Sequence, residues 1–98
     1  MARTLTVSRV TVPTGAEPEY VATVAELARL SEPRGRHLWL FRARGRGGAF
    51  LECSESRTGD THRAVAEPRE DERRLERRLR DLATYAPEAW EIWEEVAL

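Results

Sequence analysis

The chain has 98 residues, 16 basic and 17 acidic side chains, a formal net charge of −1 and a single cysteine, Cys53. That is room for one domain over residues 1–98 with a modest core, near the size at which a partner subunit often adds stability. One cysteine excludes an intramolecular disulfide and a cysteine zinc cluster. No apolar run approaches the roughly 20 residues that cross a bilayer, and the N-terminus lacks the apolar core of a signal peptide. The expectation is a cytoplasmic protein with no membrane partner.

Every strongly basic residue is arginine, and lysine, asparagine and glutamine are absent. Chemistry that needs an asparagine or glutamine side chain, or a Schiff-base lysine, is therefore excluded. Residues 1–66 carry ten arginines against seven acids and residues 67–98 carry six against ten, giving +3 and −4. So small an asymmetry does not by itself imply nucleic acid, which is not the expected partner.

Thr4 to Val12 reads as a strand whose phase slips. Leu5 and Val7 share one face and Val10 and Val12 the other, so the strand either bulges near Ser8-Arg9 or is apolar on both faces. Pro13-Thr14-Gly15 ends it. Pro18, flanked by Glu17 and Glu19, suits a helix first turn, and Tyr20, Val21, Val24, Leu27 and Ala28 form one apolar stripe over about Glu17 to Leu30. Ser31 to Gly35 stops this helix.

HLWLFRAR follows as a second strand, with His37, Trp39 and Phe41 on one face and Leu38 and Leu40 on the other. A half-exposed strand alternates apolar with polar; this one does not. After the turn Gly45 to Gly48, AFLECSES repeats the two-sided pattern at Phe50 and Leu51. Two helices cover one face, and the economical cover for the other is a second copy of the sheet. The expectation is a homodimer through sheet-to-sheet packing. The stretch from Arg57 to Ala66 is polar and reads as a loop. Glu70 to Tyr85 reads as a helix with Leu75, Leu79, Leu82 and Ala86 as a narrow apolar stripe. Pro87 breaks it, and Ala89 to Leu98 is read as a strand beside the first, although Trp90, Trp93 and Ala97 also fit helical spacing.

The resulting β-α-β-β-α-β order predicts an α+β, ferredoxin-like domain with an antiparallel sheet. With its opening LTVSRVTV, the HLWLFRAR and AFLECSES hairpin and a terminal EIWEEV, the chain resembles the antibiotic-biosynthesis-monooxygenase-like group of dimeric α+β barrels. The resemblance implies two protomers packed sheet to sheet, each with a pocket between sheet and helices. It includes cofactor-free oxygenases and haem-degrading enzymes. The haem-degrading members use an asparagine, a tryptophan and a helix-borne histidine; there is no asparagine here, and His37 and His62 fall outside both predicted helices. The cofactor-free members hold an aromatic substrate with tryptophan, asparagine, tyrosine and arginine, of which Trp39, Tyr20 and Arg42 supply three types.

No motif specifies a reaction. The candidate ligand-binding residues are Tyr20, Trp39 and Phe41, on an expected pocket for a small apolar or aromatic molecule, and the candidate catalytic residues are His37 and Arg42. No metal and no cofactor is expected: Asp60 and His62 make only half a site, with no third ligand in view. Cys53 reads as a buried small apolar residue. Arg42, Arg44 and Arg46, with Arg34 and Arg36 nearby, form a basic cluster suited either to an anion or to guarding a strand end. Two alternatives stand beside the binding protein. One is a non-enzymatic dimerisation module, in which the aromatics are interface. The other is an RNA-recognition domain, whose third-strand pattern is only outlined by Arg46 to Cys53, with Gly48 and Cys53 at two of its aromatic positions.

Overall fold

The computed structural model describes residues 3–56 and 69–98; the Asp60–His62 pair lies outside them. Strand β1 (Thr4–Thr11) leads through a short 3₁₀ turn into helix α1 (Glu17–Ser31). Strands β2 (Arg36–Arg42) and β3 (Ala49–Ser56) form the hairpin, followed by helix α2 (Glu70–Leu82) and the short strands β4 (Thr84–Tyr85) and β5 (Ile92–Glu94). The sheet is antiparallel in the order β2-β3-β1-β4, with β5 also pairing along β1. With two helices against one face, this is the expected ferredoxin-like α+β architecture.

The β1–β3 ladder runs unbroken from Thr4 opposite Ser56 to Thr11 opposite Ala49. There is no bulge in it, so the phase slip along β1 reflects a strand that is apolar on both faces. Even-numbered residues of β1, β2 and β3 look toward the helices, and odd-numbered ones away. On the helix side Val10, Val12, Phe50 and α1 residues Tyr20, Val24 and Leu27 form the core with Leu79 and Ala83. The Tyr20 and Phe50 rings meet at 5.0 Å between centroids. Gly48 closes the hairpin side of this core: its carbonyl accepts from Val12 N at 2.7 Å, and its φ of +76° favours glycine.

Two boundaries differ from expectation. Helix α2 ends at Leu82, not Tyr85, because Ala83 is extended and Thr84–Tyr85 pairs with Val10 and Thr11 of β1. The C-terminal strand is present but short: a turn through Pro87 to Trp90 separates β4 from β5, and only Ile92–Glu94 pairs with Thr4–Thr6.

The other face of the sheet carries Leu5, Val7, Trp39, Phe41, Leu51 and Trp93, aligned by the ladders. Trp39, Phe41 and Trp93 are 45%, 56% and 54% exposed. Within the described residues nothing covers this face. Among those residues, no helix is long and apolar enough to cross a membrane.

Candidate active site

The helix-facing side of the sheet changes character halfway along. The row Val10–Phe50 is large and apolar and packs tightly against α1. The next two rows are Ser8 opposite Glu52, and Thr6 opposite Ser54. Three of those four side chains are small, so the helix layer does not close over them. A cavity of about 270 Å³ remains, walled by Val24 and Leu27 of α1, Leu79 of α2 and Leu38 of β2, with Tyr85 and Trp90 on the tail side.

The floor of this cavity is polar and ordered. Ser8 Oγ donates to the carbonyl of Ala89 at 2.6 Å and so anchors the tail turn. That turn stacks Trp90 on Tyr85, with ring centroids 5.4 Å apart. Arg36 Nε donates to Ser54 Oγ at 2.7 Å, and its Nη1 lies 3.7 Å from Glu76 Oε1. At the centre stands Glu52. Tyr85 Oη donates to its Oε1 at 3.0 Å, while Oε2 is buried and has no hydrogen-bond partner among the described residues. Tyr20 is fully buried and its hydroxyl also faces this carboxylate, close enough to influence its ionisation but outside good hydrogen-bond geometry.

Burial is the dominant influence on Glu52 and holds its pKa above the ordinary carboxylate value; Tyr85, Tyr20 and the charge of Arg36 pull it partly back. Both phenols are pushed well up, first by burial and then by the adjacent carboxylate, so they remain proton donors at neutral pH. A carboxyl whose pKa is raised by burial beside a cavity is a stronger base when ionised than a solvated one, which is what a general base uses. Burial and Glu52 likewise raise the Cys53 thiol, which disfavours the thiolate.

The fold distributes the sequence-predicted residues over three places. Tyr20 stands at the cavity carboxylate. Trp39 borders the cavity, although strand parity puts its side chain on the outer face with His37 and Phe41; His37 stacks on Trp39 at 6.4 Å. Arg42 lies at the other end of the sheet, its guanidinium 5.3 Å from the Phe50 ring centroid. There it borders a wider groove of about 680 Å³ with Arg9, Arg46 and Phe41; these three arginines are exposed. Arg34 and Arg36 of the basic cluster are engaged in ion pairs, Arg34 with the buried Glu72 at 2.7 Å. Phe50, the surviving aromatic of the RNA-recognition pattern, is buried in the core and cannot stack on a base.

Sequence reading missed Glu52, Tyr85 and Trp90. The signal for Glu52 was available: two residues after Phe50, it must face the same helix-covered side. Tyr85 was hidden by the assumption that α2 continued through it.

No family model and no curated protein matches the chain. Solved structures do. A conserved protein of unknown function from Bacteroides thetaiotaomicron, described as a possible oxidoreductase, is 17% identical, with a TM-score of 0.81 over 96% of this chain and 98% of that one. SnoaB, a cofactor-independent oxygenase from Streptomyces nogalater, is 21% identical, with a TM-score of 0.78 over 100% and 95%. A candidate antibiotic biosynthesis monooxygenase from Caulobacter crescentus is 13% identical, with a TM-score of 0.77 over 99% and 91%. At these identities the likeness is one of fold, and the chain has the antibiotic-biosynthesis-monooxygenase-like fold.

The raised pKa of Glu52 has a consequence for stability. Because the folded-state value exceeds the unfolded one, the contribution of this group is fully present below the unfolded value and is lost as pH rises through the folded value. The charged and titratable groups around it are Tyr20 from α1, Arg36 from β2, Tyr85 from β4, and Glu76 and Arg80 of α2, which line the same cavity. Glu52→Gln removes the titration, so its melting temperature is expected to gain on wild type as pH rises from the ordinary glutamate value, about 4, through the raised folded-state value. Scanning calorimetry across that range checks it; a difference that stays constant with pH contradicts a perturbed Glu52.

Proposed function

We propose that this protein binds a small, mostly apolar or aromatic molecule in the cavity around Glu52 and oxidises it with dioxygen, without a resident cofactor. The observation that carries this reading is the cavity itself: walls that are mostly apolar, with Glu76 and Arg80 of α2 among them, a polar floor and a largely buried carboxylate in one place. Its volume of about 270 Å³ lies just below the roughly 300–1,000 Å³ of most small-molecule sites, which favours a ligand of one or two rings. The fold shared with a cofactor-independent oxygenase supports the reaction class. Without an external reductant, inserting one oxygen atom while releasing the other as water takes every electron from the substrate. A hydroxyarene meets that demand when a ring C–H becomes a carbonyl: hydroxyarene plus dioxygen gives quinone plus water.

The protein acts as a homodimer in this proposal, with the outer sheet face against its copy. The support is the apolar face of Trp39, Phe41, Trp93, Leu5 and Val7, which is larger than scattered surface residues explain. The same face supports the second reading, a non-enzymatic dimerisation module; the two share the dimer and differ at the cavity.

1-Naphthol separates them. Added aerobically, it is expected to drive oxygen consumption at an electrode with formation of naphthoquinone, and Thr6→Phe, which fills the cavity from its floor, should lower the rate at least about tenfold. Binding without oxygen consumption would favour the module. An undiminished rate in Thr6→Phe would move the reaction elsewhere. For the dimer, sedimentation should give twice the chain mass for wild type. Phe41→Asp, which perturbs a residue already half exposed in the protomer, should give a folded monomer. A wild-type monomer would remove the sheet-to-sheet contact from the account.

A further inference from the structure

The uncovered face of the sheet is bordered by charge of opposite sign on its two sides. Toward β2, at the hairpin end, Arg42 and Arg46 border the groove that runs past Phe41 and Leu51. Toward β5, Glu88 and Glu91 border a second groove, of about 490 Å³, that runs past Leu5, Val7 and Trp93. All four charged side chains are exposed, and none makes an ion pair among the described residues. Glu55 and Glu95, at the far end of the face, are already paired with Arg3. Arg9 lies between the two borders and lines both grooves. Unpaired charges at the rim of an apolar face decide the orientation in which a partner docks.

Two copies packed through this same face are related by a two-fold axis lying between the sheets. An axis across the strands lays each border on its own copy, with glutamates over the acidic side and arginines over the β2 side. An axis along the strands exchanges the borders, so the arginines of each chain face the glutamates of the other, twice per dimer. Both axes keep the strands of the two sheets aligned, so packing alone does not choose between them. Charge does. Resting on the homodimer reading above, we propose that the two-fold axis runs along the strands and that Arg42 and Arg46 of each protomer face the partner's Glu88 and Glu91. The β2 side of one sheet then lies on the β5 side of its copy, and β3 lies on β1. Arg9 comes over the partner's Leu51, which takes its aliphatic stem. The two borders thereby make the face selective for a second copy of this chain, because an apolar surface without the matching charges leaves both borders unpaired.

Sedimentation equilibrium of charge variants tests the orientation. The wild-type dimer should weaken as sodium chloride is raised from about 50 to about 500 mM, because screening removes the attraction. Arg42→Glu with Arg46→Glu should raise the dimer dissociation constant about tenfold or more, since it sets like charges face to face on both sides. Glu88→Arg with Glu91→Arg should do the same. The fourfold variant that combines them restores opposite charges throughout. It should return to within about threefold of wild type, which also shows that the substitutions leave the fold intact. With the axis across the strands, each double variant would dimerise as wild type does and salt would strengthen the wild-type dimer. Either of those results, or a fourfold variant as weak as the doubles, would overturn the orientation while leaving the dimer. A monomeric wild type would overturn the homodimer reading, and this orientation with it.

Discussion

A five-stranded sheet with two apolar faces, only one of which the helices of the described residues cover, is the constraint from which the rest of this molecule follows. Burial of apolar area is the main favourable term in folding, and the helices supply it on one face only. Where the strands offer Val10, Val12 and Phe50, the cover is close and the core forms around Tyr20, Val24 and Leu27. Where they offer Thr6, Ser8 and Ser54, it stands off and leaves the cavity. The opposite face, with Trp39, Phe41 and Trp93, is left to a second copy in the proposal made above.

Glu52 sits where those two regimes meet. An apolar residue in its place would extend the core by one row; a carboxylate there is desolvated and incompletely paired. Natural proteins accept such local costs at sites of function more often than elsewhere. The surrounding structure is organised to hold the carboxylate: β4 delivers Tyr85, the Ser8–Ala89 hydrogen bond fixes the turn that carries Trp90, and the Trp90 ring backs Tyr85. The short strands and turn that replace the expected single C-terminal strand therefore build one wall of the site.

How far the sequence could be read depended on whether the signal was local. Helix α1 was legible from Pro18, its flanking acids and the Tyr20–Val24–Leu27 spacing, and the hairpin from its two-sided strands and glycine turn. The phase slip in β1 was correctly a choice between a bulge and two apolar faces, and the unbroken ladder selects the second. The end of α2 was not legible, because the Leu75–Leu79–Leu82–Ala86 stripe continues smoothly across a boundary set by pairing with β1. The site divided the same way. Tyr20 was singled out, whereas Glu52 looked like one polar residue in AFLECSES, although its parity with Phe50 pointed inward. Its meeting with Tyr85 joins residues 33 apart in sequence through β1, and no local pattern reports it. The aromatic residues that drew the eye, Trp39 and Phe41, did so by their size; the ladder turns their side chains to the opposite face from the carboxylate.

The central claim is that the cavity built around the desolvated Glu52 carboxylate is a binding site, and carbon-13 NMR of its side-chain carboxyl carbon tests it most directly. The account predicts a titration midpoint above the ordinary glutamate value in the free protein, and a shift of that resonance when 1-naphthol is added under nitrogen. An ordinary midpoint with a resonance indifferent to the ligand would contradict it.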